Sequence, residues 1–371
     1  MSFLRTRPTI NGQRTMNPTD RKQIRFWYWS GAAMIFLILV IGGITRLTQS
    51  GLSMVEWNPL MGMFPPLSES EWMEIFEKYR DYPEYQQRNM GMSLTEFKFI
   101  FFWEYVHRAA GRLLALVFIL PFGYFLAKKK FSSLQLKRAL ILMGLGLAQG
   151  FMGWFMVQSG LVDVPFVSPY RLAAHLLLAF SIFGCCVWFA LDLTPGNRPA
   201  RRQANPAPAV RGLLWVFLIV LIVQVAWGAF VAGLHAGHVY NTFPKMNQYW
   251  IPPEAWLLDP LIRNFFENTA AVQWIHRVLG TLLVIISVAI WARLTFSGLS
   301  MTAKKWGVVL LGFVLAQYMT GVFILLYHVP ISLGVLHQAM ALILFGISIG
   351  FYHYFYRTYR INTGSEASYA E

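Results

Sequence analysis

Glu104-Tyr105-Val106-His107-Arg108-Ala109-Ala110-Gly111-Arg112-Leu113-Leu114 and Gln273-Trp274-Ile275-His276-Arg277-Val278-Leu279-Gly280-Thr281-Leu282-Leu283 are two copies of one pattern, 169 residues apart. Each lies in an apolar run long enough to cross a bilayer, which takes about 20 helical residues. Further along, Leu147-Ala148-Gln149 with Gly153 returns as Leu315-Ala316-Gln317 with Gly321, and His175 is matched by His337. Gly42 and Gly51 answer more weakly to Gly228 and Gly237. The chain holds eight such runs, 26–45, 99–127, 139–160, 170–192, 213–233, 270–293, 305–327 and 332–355, four to each copy. Four is an even number, so the copies run parallel rather than inverted. The expected fold is an all-α polytopic membrane protein, its eight transmembrane helices arranged as two pseudo-symmetric four-helix bundles.

Composition agrees. Of 371 residues, 56% are hydrophobic and 13% charged, against about 45–50% and 25% in soluble domains. A soluble enzyme, a disordered chain and a disulfide scaffold are excluded. The net charge of +14 would suggest nucleic acid in a soluble protein. Here the cations follow a membrane face instead. With the N-terminus cytoplasmic, twenty of the 31 Lys and Arg fall in cytoplasmic segments and eight in outer ones. The positive-inside rule then makes both termini cytoplasmic, and the partner of the charge is the lipid bilayer, with no nucleic acid. Residues 1–25 are polar and lack a cleavage site, so they read as a cytoplasmic tail rather than a signal peptide. A bacterial cytoplasmic (inner) membrane is favoured over the mitochondrial inner membrane.

The expected organisation follows. Residues 26–192 form the N-terminal bundle, with a long outer loop at 46–98, and a Pro-rich cytoplasmic linker covers 193–212. Residues 213–355 form the C-terminal bundle and 356–371 a second cytoplasmic tail. Within the first outer loop, Ser68 with Glu71 three residues on is a capping-box signature for a short helix. Cys185 and Cys186 are adjacent and apolar in context, so no structural disulfide is expected.

Four of the eight histidines, His107, His175, His276 and His337, fall on the even-numbered spans at similar depth near the outer face. One ionisable side chain in a span can be a polar residue bonded to its neighbour. Four at one depth, paired by a repeat, suit two bis-imidazole haem sites inside four-helix bundles. Gly111 and Gly280, one turn after His107 and His276, could let a macrocycle lie against the backbone or could serve close helix packing. Arg108 and Arg277 could meet haem propionates or snorkel to the interface. Gln149 and Gln317 read as interhelical hydrogen-bonders. His353 reads as an interfacial residue, and His235, His238 and His328 carry no assignment.

The halves differ at one place. Glu104 precedes His107 by three residues, on the same helix face, where the second copy has Gln273. A carboxylate beside one of two haem sites suggests that this site does proton chemistry while the other passes electrons. An orienting hydrogen bond to His107 is the alternative reading.

At these residues the chain resembles the haem A synthase family, in the form seen in mitochondria and their bacterial relatives. The resemblance rests on Gly43-Ile44-Thr45-Arg46-Leu47-Thr48-Gln49-Ser50-Gly51-Leu52-Ser53-Met54, on Leu94-Thr95-Glu96-Phe97-Lys98-Phe99-Ile100 through Glu104 to Arg108, and on the repeated His-Arg-x-x-Gly. It covers nearly the whole chain. The cysteine pairs that another branch carries in its outer loops are absent here. The resemblance implies oxidation of the C8 methyl of haem O to a formyl by successive hydroxylations, giving haem A for cytochrome oxidase. By position it makes His107 and His175 ligands of the substrate haem iron, His276 and His337 axial ligands of a cofactor haem b, and Glu104 the catalytic acid or base. It further implies haem O synthase and cytochrome oxidase assembly factors as partners, and is compatible with a homo-oligomer. The competing readings are a dihaem b-type, quinol-linked electron carrier and a haem transporter or chaperone.

Overall fold

The computed structural model describes residues 9–10, 13–14, 16–56, 64–195 and 208–362. Eight helices among them are long and apolar enough to span a membrane. They are α1 (Pro18–Leu47), α4 (Leu94–Ala127), α5 (Ser133–Gln158), α6 (Pro169–Asp192), α7 (Pro208–Gly233), α9 (Thr269–Thr295), α10 (Met301–Leu326) and α11 (Ile331–Asn362). Three short α-helices lie in the loops between them among the described residues: α2 (Glu69–Arg80), α3 (Pro83–Gln87) and α8 (Asn264–Glu267). Apart from a two-residue ladder at Thr9–Ile10 and Gln13–Arg14 and one bridge at Met246 and Tyr249, the described regular structure is helical. Residues 196–207 of the expected linker and 363–371 of the C-terminal tail lie outside the described residues.

The helix starts are written locally. Asn17, Ser132, Asn268 and Ser300 each cap a spanning helix by accepting a backbone N–H with the side chain, which offsets donors left open in a first turn. Ser68 and Glu71 form the expected capping box at α2, and Ser93 with Glu96 forms a second at α4. That second box starts α4 five residues before the apolar run. His107 is therefore the fourteenth residue of its helix, whereas His175, His276 and His337 are the seventh, eighth and seventh of theirs. The extra turns of α4 carry Phe97, Ile100 and Phe101 into a buried cluster with Phe76 and Tyr79 of α2 and with Val55. The described part of the loop between α1 and α4 is thus a packed cap on its own bundle.

Each half closes as a ring of four neighbours: α1, α4, α5 and α6 in the first, α7, α9, α10 and α11 in the second. Between halves, α1 meets α11, α6 meets α7, and α6 meets α11. Exchanging the halves turns the first contact into the second and leaves the third unchanged, as a pseudo-twofold requires. The α6–α11 contact shows it at side-chain level. A Cβ built on Gly184 would lie 3.0 Å from Phe345, and one on Gly346 would lie 3.1 Å from Phe183. This reciprocal arrangement is that of an isologous interface. One continuous apolar core, including Trp27, Tyr28, Phe180, Phe217, Leu342 and Phe351, runs through both halves.

Candidate functional site

The four histidines share one local environment. Each imidazole lies against a glycine of the preceding spanning helix, close enough that a Cβ there would crowd its Cε1: Gly42 on α1 at 2.8 Å from His107, Gly153 on α5 at 3.3 Å from His175, Gly228 on α7 at 3.2 Å from His276, and Gly321 on α10 at 3.1 Å from His337. All four glycines belong to the repeat, but their partners are legible only in three dimensions. Gly111, by contrast, has nothing within 4 Å of a built Cβ, and Gly280 faces Gln224 and Tyr318. The glycines that seat the histidines are thus not the ones in the His-Arg-x-x-Gly motif.

Hydrogen bonds fix the same geometry. Gln149 Nε2 donates to the His175 carbonyl at 3.2 Å and also contacts its ring, and Gln317 Nε2 donates to the His337 carbonyl at 3.0 Å. The two glutamines are interhelical hydrogen-bonders, as their positions in the repeat suggested. His107 and His276 each bond a backbone group at equivalent places, Ile38 and Gln224. The structure pairs the imidazoles within halves, His107 with His175 and His276 with His337, each pair within electrostatic reach. Buried polar atoms without a hydrogen-bond partner collect here: Nδ1 of His107, His276 and His337, and Oε1 of Gln149, Gln224 and Gln317. An unmet buried polar atom costs on the order of 1–3 kcal/mol. Such a concentration marks a place built for a ligand.

Glu104 is 3% exposed, and its hydrogen bonds run to partners other than His107. Its Oε2 accepts from Ser53 Oγ at 2.7 Å and from the Met54 N–H at 2.8 Å, and its Oε1 accepts from Arg108 at 2.6 Å. Arg108 in turn donates to the carbonyls of Met54 at 2.7 Å and Glu56 at 3.2 Å. In the second half, Gln273 Nε2 donates to the Tyr240 carbonyl at 3.0 Å. Arg277 donates to the carbonyls of Tyr240 and Thr242 at 2.9 and 2.8 Å. Both arginines therefore clamp the backbone that follows the first helix of their bundle. This is a different engagement from snorkelling, and it precedes any contact with a propionate. Arg277 keeps its Nε buried without a partner. Ser53 and Met54, which complete the setting of Glu104, stand 51 and 50 residues away from it. Their signal in the sequence was the Gly51-Leu52-Ser53-Met54 block, without an indication of what it touches.

His353 departs from expectation. It is 1% exposed, not interfacial. Its Nε2 lies 2.8 Å from Asp192, which also pairs with Arg138 and Arg357. This cluster ties α5, α6 and α11 together at the ends opposite the four histidines. The alternation of apolar residues gave no sign of it, because its members come from three helices.

Eight spanning helices around two pairs of half-buried histidines define an integral, multi-pass helical membrane protein. The chain belongs to the COX15-CtaA family, described as cytochrome oxidase assembly protein, whose profile matches residues 25–349. It is similar to the Heme A synthase of Nitrosospira multiformis, 46% identical over 95% of this chain and 99% of that protein. It is likewise similar to Heme A synthase COX15 of Arabidopsis thaliana, 46% identical over 89% of this chain and 74% of that one. The Heme A synthase of Rhodospirillum centenum is 43% identical over 95% and 93%.

Proposed function

We propose that the chain is a haem A synthase that oxidises the C8 methyl of haem O to a formyl group, with the substrate in the first half and a haem b in the second. The carrying observation is the difference between matched positions. Glu104 puts a buried carboxylate in the first half, and Gln273 puts a neutral amide in the second. Each half otherwise sets a pair of imidazoles on glycines, and Nδ1 of His107, His276 and His337 has no hydrogen-bond partner, which suits histidines that would hold a haem iron.

In this reading His107 and His175 hold the iron of the substrate haem, and His276 and His337 hold haem b. Haem b, when bound, supplies one-electron transfer. The described part of the first loop packs over the start of α4, and Glu104 behind it is shielded from water. Conversion of a methyl to a formyl through two hydroxylations and loss of water releases electrons, which pass to an external acceptor, and an equal number of protons. Glu104 is the carboxylate placed to take a proton or to stabilise the positive charge that develops as electrons leave. The donors on both its oxygens favour the electrostatic role. Arg108 holds Glu104 and the Ser53–Glu56 backbone in register, and Arg277 does the same for the second loop.

The chain sits in a bacterial cytoplasmic membrane with both termini inside, on the charge asymmetry of its loops. Haem O synthase and cytochrome oxidase assembly factors are the natural neighbours of such an enzyme, and a homo-oligomer is compatible with its exposed apolar faces. The test is co-expression with a haem O source, followed by extraction and mass identification of the haems. Haem A is the expected product. Its absence, with b-type haem on all four histidines, would point to a dihaem electron carrier.

A further inference from the structure

Three basic groups meet at the outer seam between the halves. Arg46 ends α1, and its guanidinium donates to the Ala232 carbonyl near the end of α7. The His235 N–H donates to that same carbonyl at 3.2 Å. The His235 ring packs edge-on against Phe166 with centroids 4.9 Å apart, and the Arg88 guanidinium lies 4.8 Å over the same phenyl ring. Arg88 also donates to Gln49 Oε1. Arg46, Arg88 and His235 are thus gathered around one carbonyl and one aromatic ring. Among the described residues none of them is paired with a carboxylate in an ion pair. Glu84, which lies within electrostatic reach of Arg88, accepts the Tyr79 hydroxyl at its Oε2 at 3.0 Å. Burial, and then the charges of Arg46, Arg88 and His238, hold the His235 imidazole below its ordinary range.

The position of this cluster relative to the first site follows from helix geometry. Gly42, which seats His107, and Arg46 are four residues apart, so Arg46 lies on nearly the same face of α1, one turn further out. The repeat makes the comparison direct. Gly228 is the counterpart of Gly42, and four residues beyond it stands Ala232. Arg88 belongs to the loop of α2 and α3, which has no equivalent pair of helices in the second half. The two arginines are therefore specific to the half that carries Glu104. Arg108, the nearer arginine in sequence, already serves Glu104 and two loop carbonyls.

We propose that Arg46, Arg88 and His235 form the anion-binding rim of the first-half site and receive a carboxylate of the bound macrocycle, a haem propionate. This rests on the assignment of the substrate haem to the first half. Arg46 is the central member: it has five N–H donors in a planar fork that suits a carboxylate, and Ala232 takes one direction of it. Because His235 comes from the second half, the rim also spans the seam, and a propionate there contacts both bundles at once.

The experiment uses the purified full-length protein with haem b in its second half. Ferric protoporphyrin IX and its dimethyl ester are titrated separately into the first-half site and followed by difference absorbance. The unmodified protein should bind the free acid at least about tenfold tighter than the ester, the scale of hydrogen bonds to charged groups. Arg46→Gln should weaken the free acid about 10- to 100-fold and leave the ester unchanged, and Arg88→Gln should do the same more weakly. Arg46→Lys should recover part of the discrimination through its point charge. The second-half haem b absorbance reports folding, and where Arg46→Gln lacks it, Arg46→Lys and Arg88→Gln carry the test. Undiminished discrimination in these variants, or equal loss of acid and ester, would overturn the proposal. So would loss of tightly held phospholipid, by phosphorus assay, with the ester discrimination intact, because the cations would then hold a lipid phosphate. A His107→Ala titration run in parallel separates the two claims. If it matches the unmodified protein, the first-half assignment itself fails, whatever the arginines do.

Discussion

At residue 104 a carboxylate accepts three hydrogen bonds, and at residue 273 an amide donates one. The helices beneath are equivalent, the histidines are seated alike, and the arginines after His107 and His276 each clamp a loop. What differs is the loop. After α1 it offers a hydroxyl and a backbone N–H, from Ser53 and Met54. After α7 it offers the Tyr240 carbonyl. Each side chain has the polarity its loop demands, so the residues at these matched positions are not interchangeable. The difference teaches that the scaffold repeats the seating of the histidines, whereas the loops after α1 and α7 decide which polar groups stand beside them.

The largest effect should come from the second-half ligands. His276→Ala or His337→Ala should remove nearly all of the b-type absorbance of the purified protein, while His107→Ala and His175→Ala keep most of it. The reverse pattern would exchange the roles of the halves.

Glu104→Gln should come next. It keeps the side chain's length but sets an amide where Arg108 and Ser53 now donate to a carboxylate. Haem A formation should fall about 10²-fold or more, the scale of a lost proton acceptor or electrostatic stabiliser, with haem O or its hydroxymethyl form accumulating and the second-half haem b retained. Ser53→Ala removes one of the donors and leaves the charge, so its loss should be about tenfold. Equal losses in the two variants, by haem extraction and mass analysis, would mean that Glu104 acts only as a loop anchor.

The glycine seats should rank by their clearance. A methyl group at Gly42 would sit 2.8 Å from His107, against 3.2 Å for Gly228 and His276. Overpacking of this kind costs roughly 1–3 kcal/mol. Gly42→Ala should therefore weaken haem binding in the first half by about tenfold, and Gly228→Ala in the second by about threefold. Spectral titration of each half measures both, and equal effects would remove the distinction.

The smallest effect concerns pH, and it should have opposite signs in the two loops. Burial pushes Glu84 up to about 7 from 4.5. A group raised in the folded state stabilises it below its unfolded value and loses that contribution as pH rises. The packing of α2 and α3 should therefore loosen between pH 4.5 and about 7, by up to about tenfold in exchange per pH unit. In the second loop, the Tyr240 hydroxyl holds Glu254 below the usual carboxylate range. Its contribution is present above the unfolded value and is lost as pH falls. Hydrogen exchange of the two loops, corrected for intrinsic rates, should show the crossing trends, and Glu84→Gln should flatten the first. Parallel trends would sink this comparison.

The sequence by itself determined the number of spans, the parallel repeat and the identity of the four histidines. These rest on signals that neighbouring residues carry: an apolar run as long as the bilayer is thick, Ser-x-x-Glu caps, and the matched spacing of His, Arg, Gln and Gly. The start of α4 is also legible, in Ser93 and Glu96, although the apolar run begins only at Phe99. Tertiary structure alone decided which glycine receives which histidine, that Ser53 and Met54 surround Glu104, that His353 is buried against Asp192, and that Arg46 reaches from α1 to the end of α7. Each of these joins residues from different helices or loops, many tens of positions apart. A contact of that kind depends on how the helices pack and which loop folds over which bundle, and no local pattern along the chain encodes it.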